Sequence, residues 1–263
     1  MLDLVTAIRF DRRMGSGKTK PMLFACAAPD GNEVEVVAKV SAGCDRGVGG
    51  LVSEAITAML AADLGLPVPE PFLVQLDQKF IETWCDTEVH ELAKKSVQVG
   101  FGSKKLPYGF TTWPVDKAIP PHLRTTATEI LAFDVLTLND DRRPENPNCL
   151  CDGKSFAIID HELCFITEGV IGRKPPWEPG ALEYMVRPRA HLFSDMLRGR
   201  DVNLDRFAGA WEGITDARLA EYRAALSPEW ANDHGVAEKT LGYIAQVRDN
   251  IQAAVAEIRR VLI

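Results

Sequence analysis

The chain has 263 residues, 46% apolar and 25% charged, with a formal net charge of −7. That length suits one large domain or two smaller lobes around a sizeable core. The acidic balance argues against a dedicated nucleic-acid binder, which shows a basic excess or stripe; no apolar run is long enough to span a bilayer, and "MLDLVTAIRFDRR" lacks the basic start of an export signal.

In chain order, "VTAIRF" and "PMLFACAA" read as strands, and "PDGNE" as a tight turn. "EVEVVAKV" alternates, with Val34, Val36, Ala38 and Val40 on one face and Glu35, Val37 and Lys39 on the other. These three segments predict an antiparallel meander. The glycine-rich link "SAGCDRGVGG" leads to a predicted helix, "LVSEAITAMLAADLG", with Ser53 as its cap and Gly65 as its stop. The prolines of "LPVPEPFLVQL" require an extended segment. A short helix and a strand, "SVQVGF", follow before the linker "GSKKLPYG".

From about residue 114 the pattern turns helical. "RTTATEILAFDVLTLN" predicts one strong helix, and "NCLCD" and "SFAIID" predict a hairpin around a "DGK" turn. "EGVIGRKPPWEPG" reads as loop. Beyond Asn203 the chain reads as helix, the last one carrying Ile244, Val247, Ile251, Val255 and Ile258 at spacings of three and four. The expected division is a sheet-rich half over 1–105 and a larger helical half over 106–263.

Two motifs invite readings that their context opposes. "MGSGKTKP" resembles a P-loop, but the position five before Gly17, where that motif needs glycine, is Arg12, and a strand rather than a helix follows. Gly15, Ser16 and Gly17 can still aim backbone N–H groups at an anion, with Arg12, Arg13, Lys18 and Lys20 around them; a plain hairpin turn with solvated basic residues is the other reading. Cys149, Cys151, His161 and Cys164 match no common zinc spacing. All six cysteines, with 26, 44 and 85, read as reduced thiols of a cytoplasmic protein.

The segment richest in chemistry is "NDDRRPEN", residues 139–146, followed by the strand "AIID" that delivers Asp160. Phosphoryl transfer asks a protein for a carboxylate to orient the attacking hydroxyl and oxygen ligands for magnesium. Asp141, Asn146 five residues on, and Asp160 after a hairpin can supply both.

With these parts in this order, the chain resembles the protein-kinase-like superfamily and, more narrowly, the HipA-like kinases, whose catalytic loop reads as "DRRPEN" does here. The resemblance covers roughly residues 5–170: "GSGKTKP" as phosphate loop, "VVAKV" as the strand with the ATP-binding lysine, "LVSEAITAMLAADLGLPVPEPFLV" as the next helix and strand, and "IIDHE" as the metal segment. It implies an α+β, two-lobed protein-kinase-like fold, with a small antiparallel sheet lobe and a larger, mainly helical lobe. It implies ATP and Mg2+ as cofactors. Lys39 would bind the α/β-phosphates and pair with Glu54, residues Gly15, Ser16, Gly17 and Lys18 would cover the phosphates, and Val37 would line the adenine pocket. Asp141 would be the base or orienter, and Asn146 and Asp160 the magnesium ligands.

There are departures. Asn139 stands two before Asp141, where protein kinases carry histidine, and Asp140 is a second candidate base. Asn148 is an alternative to Asn146 at the wrong spacing. Glu54 lies opposite the stripe of Ile56, Met59 and Leu60, so it faces either a cleft or solvent. The implied acceptor is a hydroxyl, most simply Ser or Thr of a protein partner. A small-molecule phosphotransferase of the aminoglycoside or choline type and a nucleotide-binding pseudokinase are the alternatives. Arg187, Arg189, Arg198 and Arg200 form either a surface for an acidic substrate or a solvated helix face.

Overall fold

A computed structural model describes residues 2–15, 19–166 and 174–262. The chain divides into two compact units. The first comprises Met1–Met59, Pro69–Pro107 and Ala220–Lys239; the second comprises Leu60–Val68, Tyr108–Leu219 and Thr240–Ile263.

The first unit is built on β1 (Asp3–Arg13), β2 (Met22–Ala27) and β3 (Glu33–Lys39), then helix α1 (Val48–Asp63), β4 (Pro71–Gln75), the short helices α2 (Gln78–Ile81) and α3 (Thr87–Lys94), and β5 (Val99–Lys104). The expected meander is present in β1–β2–β3, but the sheet does not stay open or wholly antiparallel. β4 pairs with β1 in parallel, Val5 opposite Val74, and closes a five-stranded barrel in the order β1–β2–β3–β5–β4. Closure removes the exposed edges that a small sheet would otherwise present. The inward face is apolar: Val5, Met22, Phe24, Val36, Ala38 and Val74 are all fully buried. Two glycines of β5 make room for it. A Cβ on Gly102 would lie 2.4 Å from Val36 Cγ1 and 2.6 Å from Val74 Cγ2, and one on Gly100 would lie 2.5 Å from the Lys39 carbonyl oxygen. Residues from the C-terminal half seal this barrel. Trp230 Nε1 donates to the Val99 carbonyl at 2.9 Å, and the Val99 N–H donates to Glu229 at 3.1 Å.

α1 begins at Val48, three residues before the predicted stretch and five before its predicted cap. Ser53 is therefore not a cap: it is a fully buried interior residue whose Oγ accepts from Arg46 Nη2 at 2.6 Å. Gly65 does end the helix. At φ +72° it lets its own N–H reach the Ala62 carbonyl and the Leu66 N–H reach that of Ala61, the paired bonds of a Schellman stop.

The second unit contains β6 (Thr111–Thr112), helix α4 (Arg124–Leu136), β7 (Cys149–Cys151) and β8 (Phe156–Ile158), then α5 (Ser194–Leu197), α6 (Asp205–Glu212) and α9 (Ile251–Leu262), while α7 (Asp216–Ala224) and α8 (Val236–Asp249) each have residues in both units. β6, β7 and β8 form an antiparallel sheet with β7 in the middle. From Ala127 to Leu136 every residue of α4 is buried, Glu129 and Asp134 included, so it is a core helix rather than a one-faced amphipathic one. Glu129 is matched by the fork of Arg206, at 2.8 and 2.5 Å. The predicted last helix is two helices that meet at Asn250, whose Nδ2 donates to the Gln246 carbonyl; its apolar stripe is nevertheless buried throughout. No described helix is long and apolar enough to cross a membrane.

Candidate active site

In the first unit, strand alternation turns Lys39 away from the face that Val36 and Ala38 bury in the barrel. Lys39 Nζ instead meets Glu54 Oε1 of α1. Glu54 is thus not solvated: its side chain is 2% exposed and that of Lys39 is 11% exposed. Val37, two residues earlier on the same side of the strand, is half-buried.

The glycine turn joins β1 to β2. The Met14 N–H bonds the Pro21 carbonyl at 2.8 Å and closes its stem, with Gly15 exposed beyond it. Ser16, Gly17 and Lys18 lie outside the described residues. A strand follows at Met22, so no helix N-terminus stands behind the turn and the P-loop arrangement does not exist here. Arg13 and Lys20, on either side of the turn, are both ion-paired with Glu88 in the first turn of α3. Lys20 and then Arg13 hold the Glu88 carboxyl below its ordinary range.

In the second unit, "DRRPEN" is a loop fastened from below. Asp134, near the end of α4, is 1% exposed and accepts three hydrogen bonds: Arg142 Nε at 2.6 Å, Asn139 Nδ2 at 2.7 Å and His191 Nε2 at 2.9 Å. His191 Nδ1 accepts from the Phe193 N–H at 3.1 Å, which places the ring proton on Nε2, the tautomer that donates to Asp134. Burial pushes the Asp134 carboxyl up, but the Arg142 charge and the His191 hydrogen bond outweigh it, and the carboxyl stays below its ordinary value. Arg142 is fully buried; its Nη1 donates to the carbonyls of Asn148 and, at 3.3 Å, Ile159.

Of the predicted site residues, Asp141 and Asn146 meet on this platform. Asp141 is half-buried, and its Oδ2 accepts from Asn146 Nδ2 at 2.7 Å and from Asn148 Nδ2 at 3.0 Å. Its own N–H donates to Asn139 Oδ1 at 3.2 Å. Asp160 follows β8 with φ +63°, half-buried, and the residue before it is bound to the loop twice: by Arg142 and by the Ile159 N–H on the Asn148 carbonyl at 3.1 Å. Asp140, the other candidate base, is exposed. For a cation, Asp160 could offer a carboxylate and Asn146 its carbamoyl oxygen, its nitrogen being turned to Asp141. Such hard oxygen ligands suit magnesium.

The cysteines fit the packing reading. Cys149 is buried under the loop and burial pushes its thiol up to about 12, which disfavours the thiolate that zinc requires. Cys85 alone is exposed. Two of the four arginines at 187, 189, 198 and 200 are engaged, and Arg187 and Arg200 are exposed. Arg189 holds Glu145 at 2.7 Å, and Arg198 donates to the Met185 carbonyl at 3.1 Å.

Sequence reasoning passed over Asp134 and His191, and it gave Asn148 only as a misspaced alternative to Asn146. For Asp134 there was a signal: one carboxylate in the otherwise apolar run "EILAFDVLTL". For His191, 57 residues away, there was none.

A lysine–glutamate pair beside a barrel strand, and an aspartate–asparagine loop tied to a second aspartate, are the parts of a kinase-like protein. The chain belongs to the HipA-like kinase family, which matches residues 7–172, more than half its length. No curated protein matches it in sequence. Among solved structures it is similar to a Helicobacter pylori proinflammatory kinase, CtkA, at 13% identity and a TM-score of 0.47, with 100% of both chains covered. It is also similar to the apo GRMZM2G135359 pseudokinase, at 15% identity and a TM-score of 0.37, over 99% of this chain and 97% of that one. Family membership rests on the family match, not on these likenesses.

Proposed function

We propose that this protein is an ATP- and magnesium-dependent kinase of the HipA-like type that phosphorylates a hydroxyl, a serine or threonine of a protein partner, in the cytoplasm. The observation that carries the reading is Asp141. It is half-buried, oriented by two carbamoyl groups, and set on a loop bonded to the segment of Asp160. A carboxylate held this way can align an acceptor hydroxyl and take its proton. Lys39, fixed by Glu54, would hold the α/β-phosphates, with Val37 toward the adenine and residues 15–18 over the phosphates. Asn146 and Asp160 would hold magnesium, which would neutralise charge on the transferred phosphoryl group. Residues 1–105 would form the nucleotide half and 106–263 the catalytic half of a two-lobed kinase fold.

The test is transfer of labelled γ-phosphate to cell-extract proteins by the wild type and by Asp141→Asn. The variant is expected to bind ATP as before and to lose at least about a hundredfold in transfer, the scale of a positioned general base. Loss in Asp140→Asn with none in Asp141→Asn would move the base by one residue. Nucleotide binding with no transfer by the wild type would make the chain a pseudokinase.

A further inference from the structure

Asn148 does three things at once. Its backbone sits at φ +42°, a left-handed conformation that asparagine tolerates better than most residues. That conformation lets its carbonyl accept from both Arg142 Nη1 and the Ile159 N–H while its side chain turns to Asp141. The carbamoyl nitrogen then donates to Asp141 Oδ2, the same oxygen that Asn146 Nδ2 reaches.

Two carbamoyl donors on one carboxylate oxygen are not equivalent. Asn146 is exposed, and in the proposed function it is the residue whose oxygen would meet magnesium. A side chain that turns toward a metal changes its grip on Asp141. Asn148 is half-buried, and its backbone is locked by a fully buried arginine and by the strand residue before Asp160. Only one of the two donors is therefore fixed independently of what Asn146 binds.

We infer that Asn148 is a positioning residue for phosphoryl transfer. Its Nδ2 keeps Oδ2 of Asp141 engaged, so that Oδ1 is presented to the acceptor hydroxyl whatever Asn146 is doing. This role is distinct from metal ligation, and it rests on the reading of Asp141 as the group that orients the acceptor.

The decisive variant is Asn148→Gly, because glycine adopts the left-handed backbone freely and removes only the carbamoyl group. The expected result is a fall in kcat of about tenfold or more, the scale of a hydrogen bond to a charged group. KM for ATP should stay within about twofold, and the melting temperature should not change, since the carbonyl contacts to Arg142 and Ile159 remain. Unchanged kcat would overturn the inference. So would a fall in kcat accompanied by a lowered melting temperature, which would make Asn148 structural only. A second readout does not need activity. In protein labelled with 15N-asparagine, the Asn148 side-chain signal should shift in Asp141→Asn, and on adding magnesium and ATP it should stay while that of Asn146 moves. If the wild type transfers no phosphate, the kinase reading fails, and this spectrum alone decides the role of Asn148: no shift in Asp141→Asn removes it.

Discussion

Two buried ion pairs invite comparison, Lys39–Glu54 in the first unit and Arg142–Asp134 in the second. Both join a charge on an extended or loop segment to a carboxylate on a helix. They differ in what remains open. The Lys39 side chain keeps 11% of its surface, whereas that of Arg142 keeps none. Arg142 spends Nε on Asp134 and Nη1 on two backbone carbonyls, and Asp134 is further ringed by Asn139 and His191. An enclosed guanidinium cannot meet a ligand; it can only fix the chain around it. A lysine with an exposed edge can. The same chemical pairing is thus fully enclosed in one place and partly exposed in the other.

Four measurements break or sharpen this contrast. The largest effect is expected from Asp134→Ala. It strands a buried guanidinium, which costs about 3–5 kcal/mol, and the melting temperature should fall by on the order of 10 °C. A loss under about 1 kcal/mol in denaturant unfolding would mean that Arg142 finds other partners and that the network is not a platform.

Next is Asp160→Ala, at the end of the segment that Arg142 holds. Transfer should fall more than about a hundredfold, equivalent to about 2.7 kcal/mol, and the magnesium dependence of nucleotide binding should weaken while folding stays intact. An unchanged magnesium titration would take Asp160 out of the metal site.

Third is the ligand response of Lys39. ATP and magnesium at a hundredfold excess over Kd should stabilise the folded protein by about 2.7 kcal/mol, a rise of roughly 5–10 °C for a chain of this size. Lys39→Ala should lose more than half of that rise, and AMP should give a much smaller one with the wild type. Were Lys18→Ala to abolish the rise and Lys39→Ala to leave it whole, the lysine of the glycine turn would be the phosphate ligand instead.

The smallest effect concerns acid. The folded Asp134 carboxyl lies below its unfolded value, so the stability it contributes is fully present above about pH 4, the unfolded range, and is lost as pH falls through the folded value. Asp134→Asn lacks this term. The stability gap between wild type and Asp134→Asn should therefore be constant from neutrality to about pH 5 and narrow below about pH 4. A gap that widens on acidification would reverse the sign of the assigned shift.

The sequence by itself determined the elements whose period is local. The alternation of "EVEVVAKV" placed Lys39 away from the core side, Gly65 stopped α1, and the five-residue step from Asp141 to Asn146 put their side chains in one loop at 2.7 Å. These follow from backbone geometry over a few residues. Tertiary structure decided what depends on distant neighbours. The parallel β1–β4 pairing that closes the barrel links strands more than 50 residues apart, and the barrel needs Gly102 of β5 to clear the Val36 and Val74 side chains and Gly100 to clear the Lys39 carbonyl. Ser53 became a core residue because α1 starts early, at Val48, and packs it inward. Glu54 could face a cleft or water until Lys39 was seen beside it. The platform under the "DRRPEN" loop was invisible because a buried carboxylate is stable only when several donors converge on it, and those on Asp134 come from Asn139, Arg142 and His191. No local pattern records that His191, 57 residues on, is one of them.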